Sequence, residues 1–136
     1  MSNGTYGSWE TDKELEKTGV WIDQGISGKF KLARAGGNNQ AYKQLLRNLV
    51  RPYQRQINAG TMDPDVADRL TIEAFSKTVV LDWKDVTGKD KMPLKFSVEN
   101  AAQLLTDLPD LFTELRAAAE TAAAYRRSEV EEQGKS

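Results

Sequence analysis

The chain has 136 residues, enough for one domain with a real core and too few for two of ordinary size. Its 19 Lys and Arg against 20 Asp and Glu leave a formal net charge of -1, so the chain as a whole has no electrostatic reason to seek a polyanion or an anionic membrane. Cysteine and histidine are both absent, which removes disulfides, thiolate nucleophiles, soft metal sites and the commonest general base, and no cofactor is expected.

Residues 1–18 mix Gly, Ser, Thr, Asn and charges with isolated apolar residues, among them Tyr6 and Trp9, and are expected to form a flexible arm. The opening "MSNGTYGSWETDKELEK" lacks the charged-then-apolar pattern of a secretory signal, and no apolar run approaches a bilayer span. A cytosolic protein with no membrane association is the expectation. A single domain is expected over 19–125, followed by a charged tail over 126–136 that frays, Val130 being its one apolar residue.

In "GVWIDQGISGKFKLARA" two short β-branched and aromatic runs, Val20–Asp23 and Lys29–Ala33, flank Gly25 and Gly28 and read as a hairpin. Phe30 and Leu32 alternate with Lys29 and Lys31, so one face is buried and the other wet. A lone hairpin is marginal in water and must lean on the helices that follow. "GGNN" breaks the chain, with Asn38 or Asn39 as the cap of a helix whose stripe is Leu46, Val50, Tyr53 and Ile57, widened by Leu45 and Leu49. Pro52 cannot donate to the carbonyl of Asn48, so either this helix kinks or a second one starts near Arg51.

Gly60 reads as a stop and Asp63-Pro64 as a start, opening a helix to about Val80 with Val66, Leu70, Ala74 and Phe75 buried. A polar loop then leads to "SVEN", where Ser97 caps a short helix through Leu104 and Leu105. A last helix begins near Asp107 and Pro109 and carries Leu111, Leu115 and Ala118 at helical steps. The expected class is mainly α (α+β), a small helical domain with an N-terminal β-hairpin packed on about four helices.

Candidate chemistry is sparse. The terminal "GKS" lacks the P-loop glycine, since position 129 is Glu. Asp63 and Asp65 are better explained by capping than by a metal, and Asp82 and Asp85 have no companion groups to hold a substrate. An enzyme is not expected. "KQLLRNLVRPYQRQ" places Lys43, Arg47, Arg51 and Arg55 at four-residue steps, a basic ridge if the segment is one helix. Nucleic-acid binding would need interleaved aromatics or a wider basic field, and Tyr53 falls on the apolar side. Nucleic acid is therefore not the expected partner, and a small nucleic-acid-binding regulator using this ridge is kept as the alternative function.

The order "GVWID...GKFKLARAGGNNQAYKQLLRNLVRPYQRQINAGTM", then "VVLDWKDVTGKDKMPLKFSVENAAQLLTDLPDL", resembles the tail assembly chaperones of long-tailed, lambda-like bacteriophages and prophages over roughly residues 19–115. Its most specific part is "LDWKDV", a polar loop with Pro93, and "FSVENA" opening a helix; the upstream "LVRPYQRQI" adds to it. The resemblance implies a small, mostly helical protein that binds the tape measure protein and the tail tube protein during assembly in the host cell cytoplasm. It is absent from the finished virion and in this reading also self-associates. Trp83 is then either a core plug or a partner anchor, and Asp82 beside it either a cap or an acceptor for the loop. With Lys43, Arg47, Arg51 and Arg55 these are the candidate partner-binding residues. Many genomes of this family also make a longer product by a minus-one ribosomal frameshift. "QGK" at Gln133–Lys135 permits the codons CAG GGA AAG and hence a slippery heptamer, although other codons encode the same peptide.

Overall fold

In the computed structural model, residues 4–126 are described. In chain order the elements are α1 (Gly4–Trp9), α2 (Lys13–Thr18), β1 (Val20–Asp23), β2 (Lys29–Leu32), α3 (Gln40–Val50), α4 (Gln54–Ala59), α5 (Pro64–Thr78), β3 (Val80–Lys84), α6 (Val98–Asp107) and α7 (Pro109–Glu120). Short 3-10 turns occupy Gly25–Ser27, Arg51–Tyr53 and Ala122–Tyr125. The protein is mainly α with a small antiparallel sheet, and among the described residues no helix is long and apolar enough to cross a membrane. The expected frayed tail and the "QGK" peptide lie, beyond Arg126, outside the described residues.

The expected hairpin forms, with Val20 opposite Leu32 and Ile22 opposite Phe30. Phe30 and Leu32 are buried, and Lys29 stays exposed. A third strand, β3, joins the other side of β2, which makes β2 the centre of the sheet. The helix read as reaching Val80 therefore ends at Thr78, and the β-branched pair Val79-Val80 turns into strand. Phe30 faces Trp83 and Leu32 faces Val80, with a register shift between Lys31 and Leu32. Leu81 has no partner in that register, so the shift lets Val80 and Trp83, three residues apart, both point into the core.

The helix boundaries follow their caps. Asn39 Oδ1 accepts from the Tyr42 amide, Asp63 Oδ1 from Asp65, and Ser97 Oγ from Asn100. Gly60 closes α4 in the left-handed conformation at φ 70°. Around α5, the central helix, pack α3, α6 and β3. Phe75 at its heart meets Phe112 edge-to-face at 5.3 Å and 83°. Two stripes differ from expectation. In α7 the buried line is Phe112, Leu115 and Ala119 rather than Leu111, Leu115 and Ala118, because α7 turns the Phe112 side toward α5. In the basic segment Tyr53 is only half-buried and Ile57 is 40% exposed, since the chain bends away from the core after Val50.

Residues 1–18, read as an arm, instead carry α1 and α2, and α2 is docked by a buried carboxylate. Glu16 is 2% exposed; its Oε1 accepts from Thr11 Oγ1, and its Oε2 accepts from Arg34 Nη1 and from the Asn38 amide, each at 2.9 Å. The Arg34 amide donates to the Glu16 carbonyl at 2.8 Å. Gly37 must be glycine here: its φ is +50°, and a Cβ would come within 2.0 Å of Glu16 Oε2. The C-terminal turn closes the same corner, with Tyr125 Oη donating to the Leu32 carbonyl at 3.1 Å and the Asp12 amide donating to Tyr125 at 2.7 Å.

Burial opposes the Glu16 charge, but the bonds from Thr11, Asn38 and Arg34 outweigh it and hold the carboxyl below its ordinary value of 4.5. A depressed folded-state pKa contributes stability that is complete above the ordinary value and is lost as pH falls through the lowered one. Glu16→Ala should therefore cost about 3 kcal/mol near neutral pH, by stranding Arg34 and the Asn38 amide. In denaturant melts, the gap between wild type and variant should narrow steadily as pH is lowered below 4.5.

Candidate partner interface

Trp83 is set in β3 opposite Phe30, and its surroundings are those of a core residue. Its ring meets Phe30 at 6.1 Å and Phe96 at 5.2 Å, both edge-to-face. The indole Nε1–H donates to the Leu94 carbonyl at 2.7 Å. That bond clamps the returning loop, itself closed by a bridge between Thr87 and Pro93 and by the Leu94 amide on the Val86 carbonyl. With 7% of its surface exposed, Trp83 offers little to a partner directly. Asp82 is exposed and its Oδ1 accepts from the Trp83 amide at 2.8 Å. Asp82 and Asp85 share a cleft of about 600 Å³ with Lys95 and Phe96, and neither is buried. Among the described residues no cluster of three potential metal ligands occurs, and Asp63 is engaged in capping α5.

The basic segment is not one helix. After α3 the chain passes through the 3-10 turn Arg51–Tyr53, with Pro52 at its start, before resuming as α4. The missing amide of Pro52 and the pressure of its ring on the preceding turn account for the break. Lys43 and Arg47 lie before it, Arg51 and Arg55 at or after it. Arg47 and Arg51 donate to Gln44 and Asn48 on their own helical face, at 3.1 and 3.4 Å. Among the described residues none of the four forms an ion pair with a carboxylate.

The break has a consequence at the surface. α4 lifts away from the core and Gly60 folds the chain back into α5, so a groove of about 460 Å³ stays open between α3, α4 and α5. Leu46, Val50, Ile57, Met62 and Ala67 supply its apolar walls, with Tyr42 and Thr71 at its base. Both charged residues that line it, Lys43 and Arg47, are cations. Of the residues singled out from the sequence, these two are brought to the groove, while Asp82 and Trp83 stand at the separate cleft beside the sheet. Met62 and Ala67 were missed because they belong to the apolar pattern of neither helix stripe. The signal that could have found them is the Gly60 stop followed by the Asp63-Pro64 start, a tight reversal that lays α5 against α3.

A family model described as YdaY prophage protein matches residues 37–136, a stretch that contains every residue lining the groove. No curated protein and no solved structure matches the chain.

The placement of Trp83 makes its two roles separable. Trp83→Ala should lower stability by about 3–5 kcal/mol in a urea titration, from the lost ring contacts and cavity. Trp83→Phe should cost less, about 1–3 kcal/mol, chiefly by leaving the part-buried Leu94 carbonyl without its donor.

Proposed function

The chain belongs to the YdaY prophage protein family and so is of phage origin; from that premise we propose that it is a tail assembly chaperone. It binds the tape measure protein in the host cell cytoplasm, helps recruit tail tube subunits, performs no catalysis and leaves before the virion is complete. The observation that carries this reading is the open groove between α3, α4 and α5, apolar in its walls and rimmed by Lys43 and Arg47. Its open apolar surface is small but contiguous and concave, a shape that can receive an apolar helix face.

The physical need is plain. A tape measure is a very long, largely helical polypeptide, and until the tube closes around it, its apolar stripes are exposed to aggregation. An amphipathic helix laid in a groove buries that stripe reversibly, with anchors at helical spacing. Cations at the rim add steering toward acidic flanks and improve the encounter rate more than the final affinity. The sequence resemblance over roughly residues 19–115 supports the same reading.

Co-expression with the cognate tape measure protein should raise the latter's soluble fraction and yield a co-purifying complex. Arg47→Glu combined with Ile57→Glu, both at exposed positions along the groove, should weaken that complex about tenfold or more without unfolding the protein. Neither rescue nor co-purification by the wild type would overturn the assignment. The competing reading, a small nucleic-acid-binding regulator, draws on the four cations that, among the described residues, form no ion pair with a carboxylate. It predicts oligonucleotide binding that falls steeply with salt, and a titration showing such a slope would favour it instead.

A further inference from the structure

A second feature of the molecule matches the groove. In α1, Tyr6 and Trp9 are three residues apart on one helical face and are 81% and 71% exposed. Neither lines the groove of its own chain. Trp9 has the Arg126 guanidinium over one side of its ring at 5.1 Å, which fixes the indole without covering it. The segment that carries them is acidic: Glu10, Asp12 and Glu14 stand against Lys13 between residues 4 and 15. An exposed aromatic pair followed by acids is thus complementary to an apolar groove flanked by Lys43 and Arg47.

We propose that the groove between α3, α4 and α5 is occupied, in the absence of another partner, by α1 of a second copy of this chain. Tyr6 and Trp9 enter among Leu46, Val50, Ile57 and Met62, while Glu10 approaches Lys43 and Arg47. The contact joins two different patches of one molecule, so it is heterologous and links copies head to tail. A partner helix that uses the same groove competes with it. That competition rests on the assembly reading; the self-association itself does not.

The test uses two full-length variants. Tyr6→Ser with Trp9→Ser removes the inserted face and keeps the groove, and Arg47→Glu with Ile57→Glu damages the groove and keeps the inserted face. All four positions are exposed, and circular dichroism melts check that both variants fold. In sedimentation velocity the wild type should show a weight-average mass that rises with concentration, and each variant alone should remain monomeric. An equimolar mixture of the two variants should give a one-to-one dimer, because it restores a single intact contact. A wild type monomeric at every concentration would overturn the proposal. So would self-association that persists in either variant, or monomeric variants whose mixture forms no dimer. The variant lacking Tyr6 and Trp9 retains the groove and should still raise tape measure solubility. Failure of that solubility assay with wild type counts against the assembly reading, and failure of self-association counts against this inference.

Discussion

The two sides of the molecule are joined through the pairing of Lys29–Leu32 with Val80–Lys84, and that pairing depends on one irregularity. Strict alternation along β3 would send Val80 and Trp83 to opposite faces. The shift opposite Lys31 and Leu32 puts both on the inner face, where Val80 meets Leu32 and Trp83 meets Phe30. Trp83 then holds Phe96 by its ring and Leu94 by its N–H, which fixes the loop that launches α6. Because α5 runs directly into β3, the same shift sets how α5 lies on the sheet, and α3 and α6 take their places against α5.

Against that ordered centre, the Pro52 break works in the opposite direction. A continuous helix from Gln40 to Ala59 would have laid its whole apolar stripe on α5. The 3-10 turn instead leaves α4 exposed along its length, with Ile57 40% exposed and Val50 only half-buried. The apolar surface that remains open is modest, but it is contiguous and concave, which scattered surface leucines are not. The same break divides the cations, so that Lys43 and Arg47 serve the groove while Arg51 and Arg55 face elsewhere.

Local signals were legible and non-local ones were not. The caps at Asn39, Asp63 and Ser97, the stop at Gly60 and the Val20–Leu32 hairpin each rest on residues within a few positions of one another, and each appears as expected. The third strand escaped because its bulge destroys the period of two that marks a strand, and its first residues continue the apolar stripe of α5. Glu16 was unreadable for a different reason: in the sequence it is one charge among several in a polar segment. Its role exists only once Thr11, Arg34 and Asn38 are folded around it. The groove falls between these cases, since Pro52, Leu46, Val50 and Ile57 were all visible as separate signs. That they leave a gap follows only from the lie of α5.

Magnitudes set what such a gap can do. Burying two aromatic side chains of the size of Tyr6 and Trp9 contributes about 3–6 kcal/mol in total. Charge complementarity at a solvent-exposed rim adds about 1 kcal/mol or less. Association itself costs several kcal/mol in lost translational and rotational freedom, by most accounts about 4 or more. The surplus is small, so a contact of this kind is weak and exchanges readily. A partner helix with three or four apolar anchors in the same groove buries more surface for the same cost of association and displaces it. A self-contact as weak as the one proposed would shield the groove against indiscriminate aggregation while leaving it open to a longer amphipathic helix, the ordering of affinities that the proposed assembly role requires.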